Sequence, residues 1–273
     1  MRNIAVYHDQ GVADFTFRSC MVMLDDYALS AETVSAEDIL NGALDGCDML
    51  VIPGGADEPY MDKLGLEGCA LIRDFVEKGG AYLGLCAGAY FACDRFEFNK
   101  GLAGGLCRSR PMKLFKGRAV GSLTAFAPPY DESLATAALV KLRMTQAGFR
   151  PQLRLVGDEG GEAPVDERAA VYYHGGPVFV DLADDPDAVV MAIYEDLPDG
   201  ENAAVLYKKF GQGRVVLCGA HPEVSAEGFA ARLRSENNPQ AFSHILNGLE
   251  NLTTGRENLI QNMLAMLLPE FLN

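Results

Sequence analysis

Residues 82–93 read YLGLCAGAYFAC, an apolar run that reaches a cysteine set between two glycines and then continues in helix formers. A strand that turns at once into a helix needs flanking residues without bulk, and Gly84 and Gly88 meet that need around Cys86. Such a turn, a nucleophile elbow, lifts the side chain to a helix N-terminus, where unpaired amides and the helix dipole favour thiolate over thiol. The amide of Ala87 would then help to bind an oxyanion. The alternative interpretation is a structural cysteine on a tight turn.

The segments before the elbow alternate between strand and helix patterns. Strands alternating with helices of ordinary length imply a parallel sheet with helices on both faces, the α/β fold class. The predicted strands are residues 3–7, 31–35, 47–52 and 81–85, and the predicted helices are 12–27 and 66–80.

Residues 99–187 depart from this pattern because they are rich in glycine, proline and charge. We interpret them as an irregular β-rich insertion into a single domain that spans residues 1–273, with strand-like pieces at 153–157 and 169–180. After it the regular pattern returns and ends in two helices, at 238–252 and 256–272. The last helix has a wide apolar face, which should pack on the sheet or on a second copy of the chain.

Composition excludes several classes of partner. The formal net charge is −15, so a nucleic-acid backbone or an anionic membrane would be repelled, and no apolar segment approaches the ~20 residues of a membrane span. The seven cysteines form no CxxC or zinc-like pair, which favours reduced thiols in the cytoplasm and neither a metal nor a cofactor.

A thiol nucleophile needs a base, and the chain has four histidines to offer. His8 follows the first strand without a well-placed carboxylate, and His244 lies inside an amphipathic helix. His174 sits on a turn after a strand and could face the site. His221 is the best candidate, because Glu223 stands two residues on and could orient its ring. The alternative for this HPE segment is a helix N-terminal turn with charged caps.

A third motif, IPGG at residues 52–55, also follows a strand. Amides of Gly54, Gly55 or Ala56 could complete an oxyanion hole with Ala87. Parallel strands present their carboxyl ends at one edge of a sheet, where open α/β folds place their sites, so we expect the three motifs to converge there.

IPGG, GLCAG and HPE, in that order, resemble the motifs of class I glutamine amidotransferase-like proteins. More narrowly, PGGADEPY, GGAYLGLCAGAYFAC, YYHGGPVF and GAHPE look like the domain at the N-terminus of eukaryotic biotin protein ligases, found also in stand-alone bacterial proteins. The resemblance implies a flavodoxin-like three-layer sandwich with a mostly parallel sheet. It also implies a Cys-His-Glu triad with Cys86 as nucleophile, His221 as base and Glu223 as orienting group.

One position departs from the resemblance. The glutaminases of that superfamily carry a glutamine four residues after the nucleophile, and this chain has Tyr90 there. An aromatic ring cannot reproduce the hydrogen bonds of an amide, which puts glutamine as the substrate in doubt. The ligase's biotin-transferring domain has no counterpart in this sequence, so biotinylation is not expected. We predict pocket residues for a small-molecule substrate or ligand at Asp57, Tyr60, Tyr90, Tyr173 and His174.

Three functions are compatible with these motifs. The first is a cysteine-dependent hydrolase or amidotransferase-like enzyme that acts on a small amide or ester. The second is a catalytically silent binding or regulatory module related to the accessory domain of biotin protein ligase. The third and weaker one is an α/β-hydrolase with a cysteine nucleophile, whose acid should fall between nucleophile and histidine in chain order.

Overall fold

A computed structural model of the chain describes residues 3–147 and 167–269. Its thirteen strands are hydrogen-bonded into one sheet. The strands are β1 (Ile4–Tyr7), β2 (Ala31–Val34), β3 (Met49–Ile52), β4 (Ala81–Leu85), β5 (Cys93–Phe98), β6 (Leu106–Ser109), β7 (Phe115–Gly121), β8 (Ala138–Met144), β9 (Arg168–Tyr173), β10 (Val178–Val180), β11 (Val189–Tyr194), β12 (Ala203–Phe210) and β13 (Gly213–Cys218).

Seven α-helices accompany the sheet within the described ranges. They are α1 (Asp14–Asp26), α2 (Ala36–Leu40), α3 (Asp57–Glu77), α4 (Ala87–Ala92), α5 (Ala226–Leu233), α6 (Ser243–Asn251) and α7 (Thr253–Leu267).

The part of the sheet that carries the predicted motifs is parallel. The strand order begins β2-β1-β3-β4-β13, and each neighbouring pair in this section runs parallel. From β12 onward the pairing is antiparallel apart from β5 with β7. The predicted α/β fold with a parallel section of sheet is therefore confirmed, and the three motifs leave neighbouring strands at the same edge.

Alternate side chains of the central strands pack into two separate hydrophobic cores, one on each face of the sheet. Val6 of β1 and Val51 of β3 pack with α1 and α7 on one face, while Leu50 and Tyr82 pack with α2, α3 and α4 on the other. A period of two along each strand produces this division, because successive side chains point to opposite faces. The result is a three-layer sandwich. The apolar face of α7 packs on the sheet, as one of its two predicted alternatives required.

The strands between residues 99 and 187 join the same sheet. β7 lies between β5 and β10, and β8 and β9 attach through β11. This stretch is rich in strand, as the sequence indicated, whereas the strand-like piece at 153–157 lies outside the described residues.

The helix that follows Cys86 is shorter than its apolar run suggested. It ends at Ala92, and the chain enters β5 directly, where Cys93 and Phe96 are buried and the other residues are more exposed. Strand pairing with β6 and β7 thus prevails over the local helix propensity of residues 87–93. Within the described ranges, no helix combines the length and apolar character that crossing a bilayer requires.

Candidate active site

Cys86 occupies the turn between β4 and α4 in a strained backbone conformation. Its φ of 48° and ψ of −103° lie where residues other than glycine are rarely found. A Cβ atom at Gly84 would lie 2.6 Å from the carbonyl oxygen of Gly88, and one at Gly88 would lie 2.0 Å from that of Ile52. Both glycines are therefore required for the close approach of strand and helix at this turn.

His221 and Glu223 form a buried pair directly after β13, the parallel neighbour of β4. Nδ1 of His221 lies 2.7 Å from Oε1 of Glu223, and each residue is 2% exposed. Because a carboxylate only accepts hydrogen bonds, Nδ1 carries the proton and the ring is held in one orientation. The backbone amide of His221 also donates to the carbonyl of Tyr172 at 2.9 Å, which attaches the turn to β9.

The surroundings of His221 make it a strong base. Burial alone would lower its pKa, but the charges of Glu223 and Cys86 and the hydrogen bonds with them outweigh burial and raise the pKa from 6.5 to about 10. The thiol thus lies near enough to the ring to influence it. Sγ of Cys86 is also 3.7 Å from the carbonyl oxygen of His174, to which it can donate.

Gly55 of the IPGG turn and Ala87, which follows Cys86, line one cavity with the thiol. Among the hydrogen bonds of the described residues, none engages the amides of Gly55 and Ala87, and both residues line the cavity described below. Gly55 has a φ of 152°, and a Cβ there would lie 2.1 Å from the carbonyl oxygen of Gly11. The turn therefore depends on glycine at this position.

Two of the predicted amide donors are placed differently. The amide of Ala56 donates to the carbonyl of Gly11 at 2.8 Å, so its prediction as an oxyanion donor is wrong. Gly54 packs against the ring of His221, where a Cβ would lie 2.6 Å from Cε1. It does not line the cavity.

A cavity of about 440 Å³ opens over the thiol. Of the predicted pocket residues, Asp57, Tyr90 and His174 line it together with Cys86 and His221.

Tyr60 and Tyr173, also predicted as pocket residues, are not among the residues that line the cavity. Tyr60 is fully buried and donates its hydroxyl hydrogen to the carbonyl of Pro53 at 3.2 Å. The hydroxyl of Tyr173 donates to the carbonyl of Gly176 at 2.9 Å and accepts from the amide of Leu123. Both side chains therefore hold loops behind the site.

The other histidines lie in different surroundings. His174 lines the cavity, and its Nε2 lies 3.1 Å from the carbonyl oxygen of Ser133 and from the hydroxyl of Thr136. Burial and the nearby His221 lower its pKa to about 4, so the ring is neutral at pH 7. His8 lies away from the cavity with Nε2 3.2 Å from Asp14, and His244 lies on α6.

Sequence reasoning missed a buried ion pair at the cavity wall. Arg110 donates from Nε to Oδ2 of Asp57 at 2.9 Å and from Nη2 to Oε1 of Glu58 at 2.7 Å. Burial nevertheless raises the pKa of Asp57 to about 6. Arg110 is 53 residues away along the chain, and no local pattern connects it with Asp57.

The cavity also contains aromatic side chains that the sequence reasoning did not select. Phe15, Phe98, Tyr130 and Tyr172 line it beside Tyr90. Within the described ranges, no cluster of three or more histidine, cysteine or acidic side chains is arranged to hold a metal ion.

Comparison with known proteins identifies relatives of the whole chain. The model of the family described as "Biotin-protein ligase, N terminal" matches residues 2–270. An uncharacterized protein of Chlamydia muridarum (strain MoPn / Nigg) is 31% identical over 278 residues, which cover 100% of this chain and 99% of that protein. The biotin–protein ligase of Schizosaccharomyces pombe (strain 972 / ATCC 24843) is 33% identical over 182 residues. That match covers 66% of this chain but only 26% of the ligase.

Solved structures support the fold assignment. A glutamine amidotransferase from Thermotoga maritima matches with a TM-score of 0.55 at 13% identity, covering 97% of this chain and 96% of the other. A glutamine amidotransferase from Methylobacillus flagellatus also matches with a TM-score of 0.55 at 13% identity, covering 100% and 95%. At such low identities the likeness concerns the fold alone, which is that of the glutamine amidotransferases.

Proposed function

The chain belongs to the family of biotin-protein ligase N-terminal domains, and from this premise we propose that it is a cysteine-dependent hydrolase or amidotransferase-like enzyme acting on a small amide or ester. The observation that carries the proposal is the buried His221–Glu223 pair, with its 2.7 Å hydrogen bond, directly after the strand next to the one that delivers Cys86. A base held by a carboxylate beside a thiol on a strained turn is the arrangement of nucleophilic catalysis.

In the proposed reaction, the thiolate of Cys86 attacks the carbonyl carbon of the substrate and forms a tetrahedral oxyanion. The amides of Gly55 and Ala87 donate to that oxygen. When the intermediate collapses, the bond to the amine or alcohol breaks, and His221 gives the leaving group its proton. A thioester remains on Cys86.

Water completes the cycle. His221, now neutral, removes a proton from a water molecule that attacks the thioester carbon, and the carbon–sulfur bond breaks to release the carboxylic acid. The proton remains on His221, which regenerates the ion pair with the Cys86 thiolate. With an amine or ammonia acceptor in place of water, the same steps would transfer the acyl group.

Selective alkylation of Cys86 tests this proposal. The protein is treated briefly with iodoacetamide at pH 6, and the modified peptides are quantified by mass spectrometry. Cys107 on β6 is exposed and serves as an internal reference thiol. As a thiolate in an ion pair with His221, Cys86 should react at least about tenfold faster than Cys107.

Two variants sharpen the experiment. His221→Gln should reduce the alkylation of Cys86 to the rate of Cys107, whereas His8→Gln, which changes a ring outside the cavity, should not. If Cys86 reacts no faster than Cys107 in the unaltered protein, the enzyme proposal is wrong.

A binding or regulatory module is the second candidate, and Tyr90 favours it. The hydroxyl of Tyr90 donates to the carbonyl of Gly175 at 3.1 Å. The ring therefore occupies a fixed place beside the elbow and leaves no side-chain amide there to hold a glutamine. Such a module would bind its ligand in the same cavity and release it unchanged, with Cys86 no more reactive than Cys107.

A further inference from the structure

One side of the cavity is a continuous series of aromatic rings, which we call the ring wall. Neighbouring rings in it meet at centroid distances of 5.8, 5.6, 4.7, 5.9 and 5.9 Å. In order of contact, the ring wall consists of Tyr90, Phe98, Tyr130, His174, Tyr172 and Phe15, all of which line the cavity.

Polar atoms of the ring wall are partly used within the protein. The hydroxyl of Tyr90 is bound to the carbonyl of Gly175, and Nε2 of His174 is bound to the carbonyl of Ser133. A neutral imidazole carries one N–H, and a carbonyl oxygen only accepts hydrogen bonds. His174 therefore donates its N–H to Ser133 and has none left for a ligand. These two residues therefore offer a ligand mainly their rings.

The charges around the cavity disfavour an anionic ligand. Asp57, Glu58 and Glu132 line it, and within the described ranges Arg232 is the one lysine or arginine that does so. The Nη1 atom of Arg232 already donates to a carboxylate and a hydroxyl on its own side of the protein. Arg110 lies behind the wall with its guanidinium bound to Asp57 and Glu58. An α-carboxylate, as in a free amino acid, would enter a cavity whose wall carries three carboxylates, where Arg232 is paired with Glu236 and His221 with Glu223.

We propose that the acyl group of the substrate is a flat, apolar ring system, neutral or cationic, that packs against the ring wall. This inference rests on the proposed function and adds the substrate class to it. The cavity volume of about 440 Å³ leaves room for a fused two-ring carboxamide, since an apolar cavity of roughly 150 Å³ accepts benzene. Aromatic pairs in edge or offset contact add affinity beyond the area that they bury.

Binding to the Cys86→Ser protein tests the proposal without turnover. Dissociation constants of 2-naphthamide, acetamide and L-glutamine are measured by ligand-observed NMR. We expect 2-naphthamide to bind at least about tenfold more tightly than the other two. Phe98→Leu in the same background should weaken 2-naphthamide by about threefold to tenfold, the range of one aromatic contact. Phe17→Leu, which alters a ring stacked on His8 outside the cavity, is the matched control and should change nothing.

The proposal is overturned if acetamide or L-glutamine binds as tightly as 2-naphthamide, or if Phe98→Leu weakens binding no more than Phe17→Leu does. These outcomes are separate from the alkylation of Cys86. A protein that binds 2-naphthamide selectively but has an unreactive Cys86 would refute the enzyme and retain the ring-binding cavity. A reactive Cys86 without ring preference would do the reverse.

Discussion

Two histidines border the cavity, and their surroundings shift their pKa values in opposite directions. Burial acts to lower the pKa of both rings, yet the charges of Glu223 and Cys86 outweigh it at His221 and raise that pKa to about 10. At His174 burial prevails, and the charge of His221 adds to it, so the pKa falls to about 4. Titratable groups driven apart in this way have distinct acid–base roles. At neutral pH, His221 is therefore an imidazolium and His174 a neutral imidazole.

The protonation of His221 can be measured directly, because four histidines give few signals in a ¹⁵N-histidine NMR titration. One ring should remain an imidazolium through neutral pH and lose its proton near pH 10. Glu223→Gln removes a negative charge that stabilises the imidazolium, so the titration should move to lower pH. Glu227→Gln removes a nearby carboxylate that has no bond to His221 and should leave the titration in place. Equal shifts in the two variants would contradict the assigned role of Glu223.

At the scale of elements, the site depends on how closely α4 approaches β3 and β4. Gly88 on α4 faces the carbonyl of Ile52 at the end of β3, with no room for a side chain between them. Its amide also donates to the carbonyl of Pro53 at 3.2 Å, which ties the elbow to the IPGG turn. The two amides proposed as the oxyanion hole, those of Gly55 and Ala87, therefore owe their relative position to this contact.

Glycine-to-alanine substitutions at two helices should have opposite effects on stability. Gly88→Ala would force the elbow away from Ile52 and destabilise the protein by about 1–3 kcal/mol, as overpacking usually does. Gly228→Ala in α5 meets its nearest neighbour at an ordinary 3.4 Å and should stabilise by about 0.5–1 kcal/mol through helix propensity. Urea denaturation measures both changes. A Gly88→Ala protein as stable as the parent would contradict the close contact.

The central strands β1, β3 and β4 of the parallel section could be predicted from the sequence because each is a short apolar run. Residues 49–52 and 81–85 illustrate this, since every residue in both is buried. The end of α4 at Ala92 could not, because pairing of β5 with β6 and β7 decides it. Tertiary packing brings these strands together, and no local sequence pattern predicts that contact.

In the candidate site, too, residues in local motifs could be predicted, whereas residues brought in by tertiary packing could not. Cys86, His221 and Glu223 lie in short motifs that predict turns after strands, so the sequence alone indicates them as candidates. Phe98 and Arg110 reach the cavity region only through the packing of β5 and the segment after β6. The assignment of Ala56 failed for a related reason, since its amide is used by Gly11, a distant loop residue.

At the scale of the whole molecule, two buried groups in the site oppose each other in the dependence of stability on pH. His174 has a folded-state pKa near 4, below its ordinary 6.5, so the unfolded chain takes up a proton first and stability falls as the pH drops through this window. Asp57 has a folded-state pKa near 6, above its ordinary 3.8, so the folded chain takes up the proton first and stability rises as the pH drops. Each effect amounts to about 3 kcal/mol at most.

Removing either group should therefore leave the contribution of the other to the pH dependence of stability unopposed. His174→Gln should make the protein gain stability, relative to the parent, as the pH is lowered from 7 to 4.5, because the variant lacks the ring whose protonation favours the unfolded chain. Asp57→Asn should make it lose stability more steeply over the same range, whatever the loss of the Arg110 contact costs at pH 7. The measurement is the free energy of unfolding in urea at four or more pH values. The net charge of −15, which Asp57→Asn changes by only one unit, contributes nearly the same background in every variant, so the slope relative to the parent is the meaningful quantity. His8→Gln, which alters a ring outside the cavity, should show the same dependence of stability on pH as the parent. If all three variants show the parent's dependence, the pKa values of His174 and Asp57 are not shifted by their surroundings in the cavity.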